Sequence, residues 1–274
     1  MTIHLLRAEW LKLRRMNITW AMLVIPTALA LLGSTIPVAS LRNAARYLGP
    51  NINESIRQFA FPQPMLFGLQ IDDFLGSLLV LVFITSIVGN EYHFDTWKNL
   101  LTRHAGHGRL LLTKLAYALI ASAILLIAVP LIFQAGTLVA LRTVLDWTPT
   151  TLTLSSSEAR EIASLAVTAG LRMIIAACMG LLAAVTARSS GGGFAIAAPW
   201  MVADSIVSSL GFAGGLWNAL APFTFNYNLT ALAANLSGGR GLASVGASLI
   251  VLSIYTLGFT VLAITLFRRR DIAG

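Results

Sequence analysis

Apolar residues along this chain gather into long runs rather than recurring at amphipathic intervals. Six runs, about 18–39, 70–89, 110–140, 162–187, 191–212 and 245–267, can cross a hydrocarbon core of roughly 30 Å at about 1.5 Å per helical residue. The pattern predicts an all-α polytopic membrane protein, with residues 1–274 forming a single transmembrane domain. The third run is overlong and holds Pro130, which predicts a tilt or a kink. The fourth and fifth are separated only by Arg188, Ser189 and Ser190, before Gly191, Gly192 and Gly193, so they must fold as a tight antiparallel hairpin. Ser155 and Glu158 have capping-box spacing ahead of the fourth run. The first run follows Arg14 and Arg15 and contains Pro26 and Pro37; its length makes it a span rather than a cleaved signal peptide.

The connections carry their own patterns. Residues 40–69 hold Pro50, Pro62 and Pro64 and read as an ordered loop with one short helix. Residues 213–244 crowd Trp217, Leu220, Phe223, Phe225, Tyr227 and Leu229 around Pro222, which is too apolar for a solvated loop. Two readings stand: the segment dips back into the membrane or packs over the bundle, or its rings form an interfacial belt. Near the N-terminus, Ile3, Leu6, Trp10 and Leu13 follow one another at steps of 3, 4 and 3, a single helical stripe. Arg7, Lys12, Arg14 and Arg15 lie off that stripe or at its end. An amphipathic helix resting on membrane lipids fits this pattern, with a generic topogenic stretch as the alternative.

Composition then excludes whole classes. The chain is 57% hydrophobic and 11% charged, with a mean hydropathy of +0.78; soluble domains carry roughly 25% charged residues. A soluble enzyme and a disordered chain are both ruled out. A net charge of +8 would point to nucleic acid in a soluble protein, but here the basic residues sit between apolar runs. Twelve of them fall in alternate segments on one side (Arg7, Lys12, Arg14 and Arg15; Lys98, Arg103, Arg109 and Lys114; Arg188; Arg268 to Arg270), against six on the other. The positive-inside rule places both termini in the cytoplasm, and no nucleic-acid partner is expected.

Few residues inside the runs could carry chemistry. The single cysteine, Cys178, excludes an internal disulfide and reads as a buried thiol. Arg172 lies ten residues into the fourth run and Asp204 about thirteen into the fifth. Hairpin folding brings them within a turn of each other, and each unpaired charge costs about 2.5–3.5 kcal/mol at a helix centre. They are expected to pair, directly or through water, with a substrate-facing Asp204 as the rival reading. Asp72 and Asp73 are expected to open the second span and stabilise its N-terminus. His104 and His107 have metal-ligand spacing, but no acidic or cysteine cluster completes a site, so no metal is expected.

The segment leaving the second run is the most specific. Glu91, Asp95 and Lys98 fall at i, i+4 and i+7 on one helical face, with Trp97, Leu100 and Leu101 apolar and Arg103 following, before a break at Gly106 and Gly108. Mixed signs among apolar knobs favour a protein partner over an anionic lipid surface. The run Gly89, Glu91, Tyr92, Thr96, Lys98, Leu100 and Leu101 resembles that of the membrane permease subunits of bacterial ABC-2 type exporters. So do the N-terminal residues Ala8 to Arg15, the six spans and the Pro-containing apolar segment before the last of them. The likeness is nearest to permeases of drug and peptide-antibiotic export and immunity.

That resemblance implies a bacterial inner (plasma) membrane location and a coupling helix after span two. Glu91, Thr96, Lys98 and Leu101 would contact a cytoplasmic ABC ATPase, within a surface that also takes in Asp95, Trp97, Leu100 and Arg103. Asp95 stands where relatives often have a small residue. The permease would pair with a second copy or a paralogue. No Gly-x-x-x-x-Gly-Lys-Ser/Thr run occurs in the sequence, so ATP and Mg would belong to the partner ATPase, with no cofactor in this chain. The expected cargo is amphipathic or hydrophobic: a drug, a peptide or a lipid. A membrane immunity or sensor protein that binds a peptide without moving it is the alternative, and an integral membrane enzyme a more distant one.

Overall fold

The computed structural model describes residues 11, 13–48, 56, 59, 61–94, 107–146, 153–211 and 215–271, and among these the chain is helical with no strand. The helices are α1 (Asn17–Leu48), α2 (Gln63–Ile71), α3 (Ser77–His93), α4 (His107–Leu145), α5 (Ser156–Ala187), α6 (Ser190–Leu210), α7 (Leu216–Leu220), α8 (Phe225–Leu236) and α9 (Val245–Asp271). Six stretches are long and apolar enough to cross a membrane: Asn17–Leu41, Gln63–His93, Gly108–Leu145, Ser156–Ala187, Ser190–Leu210 and Val245–Arg269. The chain is an integral membrane protein.

The second span corrects the sequence reading. It starts at Gln63, with Pro64 in its first turn, where the missing proline N–H costs nothing. Asp72 and Asp73 therefore do not cap a helix. They begin a π-helical turn, Asp72–Gly76, that joins α2 to α3 inside the span. The apolar window seen in sequence stopped at these carboxylates, although the helix runs through them.

The hairpin of α5 and α6 forms as its short connection requires. Arg188 closes α5 in the left-handed conformation at φ 51°, and the Ser189 hydroxyl accepts from the Gly192 N–H at 3.1 Å to cap α6. A Cβ on Gly193 would stand 2.8 Å from the Ala184 Cα, so only glycine allows the two helices to approach so closely here. At the other end of α5, the Ser155 N–H donates to the Glu158 carboxylate at 2.8 Å and the Glu158 N–H donates to the Ser155 hydroxyl at 3.2 Å. This is the expected capping box. Pro130 lies inside α4, where its ring packs on Gly68 of α2.

α5 is the hub of the bundle, packing against α3, α4, α6, α8 and α9. One core cluster joins Leu13, Val88, Leu110, Leu111, Val185 and Phe267. It brings the start of α1, the end of α3, the start of α4 and the ends of α5 and α9 to one side of the bundle. A second cluster sets Phe225, Leu229 and Leu232 of α8 against Leu81, Ile175, Met179, Met201 and Leu252. Within the 213–244 segment α8 thus packs against the bundle, wedged among α5, α6 and α9, while Trp217, Leu220 and Phe223 stay exposed.

Gly89 is the closest approach between α3 and the α5–α6 turn: a Cβ there would run into the backbone of Ser189 and Ser190. Gly89→Ala should destabilise the bundle by about 1–3 kcal/mol, the scale of overpacking, read as a lower midpoint for thermal loss of monodisperse protein in detergent. Gly191→Ala, whose Cβ meets nothing within 4 Å, should leave that midpoint unchanged or raise it slightly.

Candidate functional site

Two polar knots interrupt the apolar interior, one near the end of the second span and one at the π-helical turn inside it. The near knot is an ion pair. Glu91, on the last turns of α3, receives a hydrogen bond from Lys114 Nζ of α4 at 2.7 Å, and both side chains are 1% exposed. Val88, Leu110 and Leu111, close in sequence to the pair on the same two helices, belong to the buried core. Such a pair holds only because each partner neutralises the other; taking either away leaves a charge where water cannot reach it. The pair ties together the two helices that flank residues 95–106. Beyond it α3 ends at His93, and Phe94 caps the helix through its N–H to the Asn90 carbonyl at 3.0 Å.

The far knot lies about 27 Å along the span, the rise of the eighteen residues between Glu91 and Asp73. Arg172 of α5 faces Asp73, with Nε 2.8 Å from Oδ1, and Nη2 donates to the Asn226 side-chain oxygen on α8. Asp204 of α6 accepts the backbone N–H groups of Phe225 and Asn226 at 3.1 and 2.9 Å. It therefore caps α8 from another helix, at the end where the helix dipole favours negative charge. Thr224 caps the same helix locally, its hydroxyl accepting from the Tyr227 N–H at 3.3 Å. The Asn228 amide donates to the Pro222 and Thr224 carbonyls at 2.8 and 2.7 Å, and the Tyr255 hydroxyl of α9 donates to the Phe223 carbonyl at 3.0 Å. These bonds satisfy the irregular backbone at residues 221–224.

Arg172 and Asp204 are consequently neighbours without a direct ion pair between them. The guanidinium takes Asp73 and Asn226, and Asn226 stands between the two charges, its side chain on Arg172 and its N–H on Asp204. The sequence reading missed Asp73 because it placed that residue at a solvated helix end. Depth held the clue: Asp73 and Arg172 lie comparable distances from Glu91 and from the α5–α6 turn. Asn226 gave no signal beyond its place in an aromatic segment.

Glu91 is also placed differently. Its carboxylate turns into the bundle, so it anchors the root of the following segment rather than presenting a surface. Lys114, read in sequence only as a basic residue near the start of a span, is its partner. Asp95, Thr96, Trp97, Lys98, Leu100, Leu101 and Arg103 lie outside the described residues, as do Ile3, Leu6 and Trp10. Leu13 is buried against the starts and ends of four helices. Cys178 is buried in the same core.

Six spans, a buried ion pair, a half-buried charge cluster and a short helix packed among the spans define a polytopic helical membrane protein. A family model described as ABC-2 family transporter protein matches residues 5–198, well over half of the sequence, and the chain belongs to that family. No curated protein and no solved structure matches it.

Two tests follow from the knots. Lys114→Met or Glu91→Leu alone should destabilise the protein by about 3 kcal/mol or more by stranding a buried charge. The double variant should recover much of that loss, measured as a thermal-stability cycle in detergent. Asp204→Ala should cost about 2 kcal/mol or more, because two buried N–H groups lose their acceptor. Asp204→Asn, which keeps one carbonyl oxygen, should cost less on the same assay.

Proposed function

We propose that the chain is the membrane-spanning permease subunit of an ATP-driven ABC exporter. It supplies a path for an amphipathic or hydrophobic substrate, pairs with a second copy or a paralogue, and couples to separate cytoplasmic ATPase subunits. The match of the ABC-2 family over residues 5–198 carries this reading, since it takes in α1 to α5, the segment between α3 and α4, and the first part of α6. The basic-residue count supports cytoplasmic termini and a cytoplasmic 95–106 segment in a bacterial inner membrane. Leu13, Glu91, the start of α4 and Phe267 sharing one side of the bundle is consistent with that topology.

In this mechanism the ATPases bind residues 95–103, and their closure on ATP displaces the segment. The Glu91–Lys114 pair joins both roots of the segment, so α3 and α4 move together instead of being pried apart. The displacement biases the bundle between two arrangements of the path, by as much as the ATPases bind one arrangement better than the other. Nucleotide and Mg chemistry remain on the partner.

The test is to co-express the full chain with candidate Walker-type ATPases and to measure both the ATPase recovered with it and the ATP hydrolysed. Lys98→Glu combined with Leu101→Asp should reduce ATPase recovery at unchanged permease yield. Glu91→Gln should instead preserve recovery and lower substrate-stimulated hydrolysis. A wild-type chain that recruits no ATPase overturns the permease reading.

A further inference from the structure

A cavity of about 230 Å³ opens between α1, α2 and α4 on the far side of the bundle, with Glu161 of α5 at its edge. Phe67 and Phe133 form one wall, their rings edge to face with centroids 5.2 Å apart. Gly33 lets that wall form, because a Cβ there would stand 2.9 Å from the Phe133 ring. Gln63, Gln70, Ser34 and Thr137 add polar groups. Among the described residues Glu161 is the only ionisable one lining the cavity, and its carboxylate has no ion-pair partner there. Arg160, the adjacent cation, turns away: its Nε donates to the Ser156 carbonyl at 3.3 Å, and its guanidinium lies beside Gly238.

From this lining we infer that the cavity is a recognition site for an aryl-ammonium group, the cationic head of an amphiphile. Aromatic faces attract a cation through their quadrupoles, and the carboxylate at the rim adds its charge. An anion would meet Glu161 with no counter-charge among the described lining residues. The Ser34 and Thr137 hydroxyls already donate to the Leu31 and Phe133 carbonyls, so the choice between a cationic and a neutral guest falls on the Glu161 carboxylate. A divalent metal would find one carboxylate where several oxygen ligands are needed. The volume falls below the roughly 300–1,000 Å³ of drug-sized pockets, so it holds the head of a larger molecule and not the whole. That this binding leads to transport rests on the permease reading; the binding itself does not.

The experiment is equilibrium dialysis of benzyltrimethylammonium against the purified full chain in nanodiscs, with empty nanodiscs as the blank. Neopentylbenzene is the neutral comparison and phenylacetate the anionic one. The cation should be retained above the blank and the anion should not. Glu161→Gln should weaken retention about fivefold, the scale of one partly exposed ion pair, and Glu161→Lys should abolish it and admit phenylacetate. Equal retention by wild type and Glu161→Gln, neopentylbenzene retained above its blank as strongly as the cation, or no retention of the cation above the blank would each overturn the assignment. ATPase recruitment without cation retention removes the cavity assignment and leaves the permease standing. Cation retention without ATPase recruitment does the reverse.

Discussion

A carboxylate and an ammonium group 2.7 Å apart and almost wholly shielded from solvent cannot separate without exposing bare charge to a low-dielectric interior. That constraint at Glu91 and Lys114 makes the end of α3 and the start of α4 one mechanical unit. Much of the near side is arranged around it. Gly89 lies two residues before Glu91 and admits the α5–α6 turn, so the hub helix is seated against the same unit. Gly108 lies beside the Arg268 side chain of α9, and Leu13 enters the same core. The ion pair adds little to net stability on its own, since desolvation offsets most of the attraction. What it supplies is a fixed relation between two helices whose connecting segment must be held at both ends.

The same rule, that no charge stands alone, builds the far side with different partners. Arg172 projects from α5 into the bundle and draws Asp73 from the second span and Asn226 from α8. Asp204 then receives the two N–H groups at the start of α8 that no intrahelical carbonyl can reach. Four elements meet through one arginine, one asparagine and two aspartates. The position of α8 among the spans follows from this satisfaction of polar groups as much as from its apolar face. Phe225 and Leu229 would bury equally well in other orientations, but the two N–H groups can meet the Asp204 carboxylate in few of them.

The sequence made the spans legible because crossing a hydrocarbon core demands a long apolar run, and such runs survive any detail of packing. The α5–α6 hairpin and the Ser155–Glu158 cap were legible for a similar reason: both depend on contacts within a few residues. Pairings between distant segments were not. Glu91 and Lys114 are separated by 23 residues and Arg172 and Asn226 by 54, and nothing local links them. The reading of Asp72 and Asp73 as a helix start failed on a specific rule. Charges were taken to mark the edge of the membrane, whereas a charge with a buried partner can lie well inside it. The direct partner of Arg172 was missed in the complementary way, because only one candidate, Asp204, had been placed at the right depth.

The two knots are joined by a single element, and its construction bears on how the ends communicate. α3 runs from Glu91 to Ser77 as regular helix, then passes into the π-helical turn that carries Asp72 and Asp73. Regular helix is stiff along its axis, so a displacement imposed at Glu91 reaches Ser77 largely undiminished. A π-helical turn is a rare, less regular arrangement that recurs at functional sites, and here it lies next to the charge that Arg172 holds. Movement of α3 therefore falls on the Asp73–Arg172 contact before any other polar contact of the far side. Through Asn226 it passes to α8, and α8 rests against α6 and α9. Under the permease reading, a push delivered at the near side is converted at this turn into a change in how α5, α6 and α8 are held. The one departure from ideal helix in the span thus sits where a rigid rod would need to yield.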